Sequence, residues 1–223
     1  MPTEAPKTDG HVRRATTPRR DRRQALIDAT IELISEGGET DISAAAISRR
    51  ADVAHGLLFY YFTDKQGLVT AALCDVLTKL AAFQSPKPEE HTTRERLEGF
   101  VRRHIEFLDN YRTVYIKMVR NGTLSDPEVV KVVQDAQAEG ARQVARLVDL
   151  TEPLSPLTRA ALAGWVGFLD RASDEYFDNP QLDLNQLIEL TVSTLFSLID
   201  ALNHTHTAPF QKRTEAPQIP TES

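Results

Sequence analysis

Apolar residues recur along most of this chain at helical spacing. Between about residues 18 and 36, Ile27, Ile31 and Ile34, with Leu26, Thr30 and Leu33 beside them, form the i, i+4, i+7 stripe of an amphipathic helix, and Gly37-Gly38 follows as a C-cap pair. Ala44 to Ala51 is a short Ala-rich run after Ser43, whose side-chain oxygen suits an N-cap. Asp52-Val53-Ala54 breaks that run, and a second short helix is predicted from about His55 to Phe62. Two short helices so joined have the layout of a helix-turn-helix. Leu68, Val69, Ala72, Leu73, Val76, Leu77 and Leu80 then predict a helix from near Asp64 to about Phe83, with Asp64 as its N-cap and Cys74 as a small buried or half-buried residue within it.

Pro86 and Pro88 forbid a continuous helix through QSPKPEEHT, and Thr92 or Thr93 caps the next one, about Arg94 to Asp109. A short helix from Tyr111 to Arg120 ends at Asn121-Gly122. Asp126-Pro127 opens a longer helix to about Leu150, with proline at the tolerated first position. After TEPLSP, Ser155-Pro156 starts a helix that reaches Tyr176 or Phe177, and Asp178-Asn179-Pro180 stops it. The last helix is predicted from about Leu184 to Asn203. Its Leu184, Ile188, Thr191, Leu195, Leu198 and Leu202 follow helical steps, yet Leu187, Val192, Phe196 and Ile199 are apolar too. That is more apolar surface than one core contact needs, so a face is left for a partner. No strand-like alternation and no internal repeat stands out. The fold class is all-α, with nine helices.

Composition narrows the picture. Hydrophobic residues make up 41% of the 223 residues, enough for a sizeable core. Apolar runs fall short of the roughly 18–20 residues of a membrane span, and the polar, Arg-rich N-terminus has no secretory pattern. Cys74 is the only cysteine, which excludes an intrachain disulfide and any multi-Cys metal site and fits a cytoplasmic setting. G-x-S-x-G, P-loop, HExxH and dinucleotide fingerprints are absent, so no enzyme, cofactor or metal site is expected; His204-x-His206 falls in a polar tail and reads as incidental. The net charge of −6 is unevenly spread: residues 1–65 hold 10 basic and 10 acidic groups, whereas the remainder hold 16 and 22. Residues 11–23 alone carry six Arg against one Asp, a basic arm beside a neutral head and an acidic body. Four regions result: a flexible basic arm over 1–18, a helix-turn-helix domain over 19–65, a helical body over 66–204, and a disordered tail over 205–223.

Ile47, Ala51, Val53, Gly56, Leu58, Tyr61, Phe62, Lys65 and Leu68 stand at the spacing I-A-x-x-A-G-V-S-x-G-x-L-Y-x-[YH]-F-x-[SN]-K-E-x-L. The stretch resembles the DNA-binding signature of TetR-family transcriptional regulators. Ser48, Asp52, Ala54 and Phe59 depart from it, standing where Ala, the turn Gly, Ser and Tyr are usual. The resemblance implies that Tyr60 and Tyr61 face phosphates, that Lys65 grips the DNA backbone, and that Ser43 offers a contact from the bracing helix. His55 can reach a phosphate or base edge, Gly56 leaves room for the backbone, and Leu57 offers methyl groups to a thymine. Arg49 and Arg50 are further phosphate candidates, and Arg19 and Arg20 adjoin the first helix as arm contacts with Arg13 and Arg14. No Asn, Gln or Arg lies between 51 and 62, so specificity leans on apolar contacts, DNA shape and the arm.

The resemblance further implies a homodimer and a small-molecule effector. Dimerisation is expected through Gly164, Gly167, Leu184, Ile188, Thr191, Leu195 and Leu198. Phe100, His104, Phe107, Tyr115, Met118, Trp165 and Phe168 are expected around an apolar or aromatic effector, with His104 and Asp170 to orient it; the same stripe is also what plain core packing produces. The expected partners are a double-stranded, pseudo-palindromic DNA operator, an effector and a second copy of the chain, and no membrane. The expected function is an effector-released repressor. An activator or co-repressor-dependent regulator, and a helical module without specific DNA binding, are the alternatives.

Overall fold

The computed structural model describes residues 19–36, 42–115, 117 and 127–207. The arm over 1–18, Gly37-Gly38, Asn121-Gly122, Met118 and the tail beyond 207 lie outside the described residues. Nine helices and no strand occur among the described residues: α1 (Arg19–Ser35), α2 (Ala44–Arg50), α3 (His55–Tyr61), α4 (Lys65–Phe83), α5 (Thr93–Asn110), α6 (Arg112–Tyr115), α7 (Pro127–Leu147), α8 (Pro156–Asp178) and α9 (Leu184–Thr207). They form two compact units, residues 1–76 with 113–129 and residues 77–112 with 130–223. The division falls inside α4, after Val76.

In the first unit α1, α2 and α3 pack on one another. Leu26, Ile27, Ile31 and Ile34 of the expected stripe are buried together with Ile47, Leu58 and Phe62. Leu58 is wholly withdrawn from solvent, which contributes roughly 2 kcal/mol. Ser43 Oγ accepts the backbone N–H of Ala46 at 3.1 Å, the expected cap of α2. At the far end Asp52 adopts the left-handed conformation, with φ 51°, and the Val53 N–H reaches back to the Ser48 carbonyl at 3.0 Å. Asp64 Oδ1 accepts the Gly67 N–H at 2.8 Å and so caps α4. The Gln24 amide donates to Asp28 and Asp75 at 3.1 Å each, tying α1 to the first part of α4.

Among the described helices α4 has the length and apolar composition of a membrane span. Its Leu68, Ala72, Leu73, Val76 and Leu80 are nevertheless buried, as in the core helix of a folded protein. Cys74 corrects an expectation: it is exposed. Two residues past Ala72 is about 200° around a helix, so position 74 lies opposite the stripe made by Leu68, Ala72 and Val76.

In the second unit α5, α8 and α9 pack on one another. Thr92 and Glu95 form a reciprocal capping box at the start of α5, and Ser155 Oγ accepts the Thr158 N–H at 3.0 Å ahead of Pro156. The core includes Leu97, Phe100, Val101, Ile105, Leu162, Trp165, Leu169, Val192 and Leu195. Trp165 Nε1 donates to the Thr191 carbonyl at 3.0 Å, which satisfies the buried indole N–H. α7 ends in a second left-handed residue, Asp149, with φ 56°, and the Leu150 N–H returns to the Ala145 carbonyl at 2.9 Å. α9 continues to Thr207, about one turn beyond the expected Asn203. Ile188, Thr191 and Leu195, expected on the dimer face, point inward at 3%, 0% and 0% exposure. They belong to the chain's own core and are not available to a second copy.

Candidate nucleic-acid interface

α3 presents one face to its own core and one to solvent. Leu58 and the following Phe62 anchor it, and Arg23 covers the Phe62 ring with its guanidinium 5.0 Å from the centroid. His55, Gly56, Phe59 and Tyr60 are exposed, with Phe59 at 50% and Tyr60 at 62%. His55 and Phe59 meet edge to face at 5.4 Å, as do Tyr60 and Tyr61 at 5.2 Å. The structure therefore brings His55, Gly56, Tyr60 and Tyr61 of the expected contacts together on or beside one short helix. Phe59, which stands where the signature has Tyr, faces out. Nothing in the fold lies within 4 Å of where a Cβ on Gly56 would stand, so this position is open to an external surface. Leu57, Tyr61 and Lys65 are half-buried, and Ser43 is exposed although its oxygen already caps α2.

The two arginines of α2 differ. Arg50 is held by Glu36, with contacts of 2.7 and 2.8 Å, and by Glu32 at 3.3 Å. These carboxylates push the Arg50 guanidinium pKa upward, and Arg50 in turn holds the Glu36 carboxyl below its ordinary range. Its charge is thus partly spent inside the head. Arg49 is exposed. Arg19 and Arg20 open α1, but their side chains lie outside the described part.

The second unit holds a cavity of about 430 Å³. Gln84, Ser85 and Pro86 form one wall, Arg96 and Phe100 of α5 another, and Gln143, Arg146, Leu147 and Asp149 the third. Of the expected effector contacts, Phe100 alone lines it. His104, Phe107 and Trp165 are buried elsewhere in the unit, and Phe168 is 37% exposed. The Tyr115 side chain and Met118 lie outside the described residues.

His104 and Asp170 face each other. His104 Nε2 lies 3.2 Å from Asp170 Oδ1, without hydrogen-bond alignment. The Gln84 amide lies 3.1 Å from His104 Nδ1, and Gln137 donates to Asp170 Oδ2 at 3.1 Å. Next to this group Arg103, buried to 5% side-chain exposure, grips Glu90 with both terminal nitrogens and reaches the Gln84 carbonyl at 3.4 Å. Burial pushes the Glu90 carboxyl up, but Arg103 and the Lys87 N–H outweigh it, so the group titrates below its ordinary range. Sequence reasoning missed Arg103, although it shares the buried phase of α5 with Phe100, His104 and Phe107.

Residues 26–72 match the profile of "Bacterial regulatory proteins, tetR family". The head over these residues is thus of the TetR-family type. A 59-residue stretch is 48% identical to the HTH-type transcriptional regulator BetI of Escherichia coli, spanning 26% of this chain and 30% of that relative. The similarity to that relative thus covers under a third of its length. In three dimensions the chain is similar to a tetR-family transcriptional regulator from Streptomyces coelicolor, with a TM-score of 0.71, 20% identity and 85% of each chain covered. It is also similar to the transcriptional regulator FadR from Bacillus subtilis in complex with stearoyl-CoA, with a TM-score of 0.56, 20% identity and coverage of 77% of this chain and 98% of that one. These likenesses show the TetR fold of the described helices.

Two departures from the TetR signature have a local energetic mark. Asp52 occupies a left-handed position at which the family's glycine carries no Cβ penalty. Ser48, where alanine is usual, is 3% exposed, and its Oγ is buried without a hydrogen-bond partner.

Proposed function

We propose that the chain is a homodimeric, effector-responsive transcriptional regulator that represses from a pseudo-palindromic operator. The observation that carries the reading is the TetR head over residues 26–72, with the solvent-facing His55, Gly56 and Tyr60 and the half-buried Tyr61 at the positions that would enter and flank the major groove. His55 and the two tyrosines supply donors for phosphates and base edges. Leu57 supplies methyl contact, while Ser43, Lys65 and the N-terminal Arg19 and Arg20 supply backbone contacts. Arg49 joins them more readily than Arg50, whose charge is shared with two carboxylates. The setting is the cytoplasm, and the head does no chemistry.

Dimerisation is supported by an outward stripe on α8 and α9. Leu157 and Phe168 are 51% and 37% exposed, and the exposed Ala160, Gly164 and Gly167 lie between them at helical spacing. Leu190 on α9 is 56% exposed, with Leu184 and Leu198 half-buried. Small residues between large apolar ones let a second pair of helices approach closely, and covering this stripe would remove it from water. An effector bound in the second unit would release DNA by favouring one separation of the two heads.

A gel shift on DNA flanking the protein's own coding region, paired with sedimentation of the free protein, tests this reading. A salt-sensitive, sequence-specific shift by a dimer is expected, lost in His55→Ala combined with Tyr60→Ala. A monomer that binds no flanking sequence in preference to bulk DNA would instead identify a helical interaction module.

A further inference from the structure

We propose that the cavity of the second unit takes a small amphipathic anion, with its carboxylate or phosphate group on Arg96 and its apolar body against Phe100 and Leu147. Arg96 donates to the His91 carbonyl at 3.3 Å and to Thr93 Oγ1 at 3.2 Å, both neutral acceptors. Among the described residues no carboxylate lies within the 4.0 Å of an ion pair. A guanidinium has five N–H donors, so Arg96 retains both its charge and the geometry for a bidentate anion.

The neighbouring charges favour a single negative charge. Arg146 and Arg142 share one carboxylate, Glu139, at 2.9 and 2.8 Å. Burial pushes the Glu139 carboxyl up, but the two guanidiniums outweigh it and keep the group ionised. Of the charged lining residues, Arg96 and Arg146 against Asp149 leave one positive charge. Phe100 and Leu147, buried at 2% and 8% exposure, add apolar lining to the same cavity. The wall is held in place: Gln84, at 4% exposure, is tied to His104 through its amide and to Arg103 through its carbonyl, and Gln143 donates to the Ala81 carbonyl at 3.2 Å. A volume of about 430 Å³ lies in the usual range for small-molecule sites.

This assignment rests on the effector-responsive reading above only for its regulatory meaning, because binding is measured without DNA. Calorimetry on the full chain compares octanoate, octyl phosphate, octanol and inorganic phosphate. At least one of the two anionic amphiphiles is expected to bind, with octanol and inorganic phosphate each weaker by roughly tenfold or more. Arg96→Gln lowers the affinity of the anionic amphiphile by a similar factor and leaves octanol unchanged. Arg96→Lys keeps the charge but not the fork, so its affinity falls between those of the unaltered protein and Arg96→Gln, and Arg102→Gln, outside the cavity, retains full affinity. Whichever amphiphile binds more tightly identifies the head group.

Equal binding of octanol, equal binding of inorganic phosphate, no binding of either amphiphile, or full affinity in Arg96→Gln each overturns the proposal. Should Arg96→Gln fail to fold, the octanoate-to-octanol ratio of the unaltered protein decides. Failure here leaves an operator shift intact, and loss of operator binding leaves the calorimetry readable.

Discussion

Replacing Glu90 by Gln tests the polar frame of the second unit. The Arg103 side chain is 5% exposed and that of Glu90 12%, so the pair is largely desolvated. Glu90 takes two contacts from the guanidinium and a third from the Lys87 N–H at 3.0 Å. Without the carboxylate charge, Arg103 keeps a neutral amide oxygen and the Gln84 carbonyl at 3.4 Å. Breaking a buried pair from one side costs about 3–5 kcal/mol, and the shape retained by Gln puts this variant near 3. With a urea dependence of about 2 kcal/mol per M, the unfolding midpoint falls by roughly 1.5 M.

Trp165 is the only tryptophan and sits in the core of this unit, so its fluorescence reports the transition. Protein concentration is held fixed, because association would shift the midpoint. Arg103→Met in the Glu90→Gln background removes the stranded cation, and the two changes should couple favourably by at least about 1.5 kcal/mol. A midpoint loss below about 0.3 M, or two losses that simply add, would refute the argument that this pair is a desolvated unit.

The remaining predictions follow from single geometries. Ser48→Ala removes a buried hydroxyl without a partner and Asp52→Gly relieves a left-handed Asp; each should stabilise by about 0.5–1 kcal/mol, read as a higher melting temperature by circular dichroism. A Cβ at Gly99 would collide with the Glu90 carboxylate and come within 2.7 Å of Arg103 Nη1, so Gly99→Ala should lower the Trp165 transition by about 1–3 kcal/mol, measured in urea. Glu90 and Glu139 have carboxyl pKa values held below the ordinary range despite burial, and Glu95 has its own lowered by the N–H groups of Thr92 and His91. Groups lowered on folding stabilise above the unfolded pKa of about 4.3, and that contribution disappears as pH falls through the folded values. Urea midpoints should therefore be flat from pH 6 to 5 and decline below about 4.5.

What was legible in the sequence was what depends on near neighbours. Ser43, Asp64, Thr92 and Ser155 cap helices because each oxygen needs only the N–H three residues ahead. The stripe of α1 is buried as its spacing implies, and the helical punctuation by Pro86, Pro88 and Ser155-Pro156 follows from backbone chemistry. What failed depended on which of two apolar faces turns inward. α9 carries apolar residues on more than one side, so the pattern could not distinguish Ile188, Thr191 and Leu195, which are core, from the exposed Leu190. The pairs Arg103–Glu90, Gln84–His104 and Gln137–Asp170 join residues 13 to 33 positions apart, and no local period encodes them. His104 and Asp170 were expected to orient an effector, and nothing local showed that they face each other. The cavity drew on Arg96, Gln143 and Arg146, polar residues that an aromatic criterion passes over.

Selection of duplexes from a random pool by the purified full chain tests the central claim most directly. The account predicts enrichment of a two-fold symmetric sequence whose half-sites are centred about one helical turn, or a whole number of turns, apart, with binding lost when His55 and Tyr60 are both replaced by Ala. A pool that stays unenriched, or an enriched site bound equally well by that double variant, would contradict it.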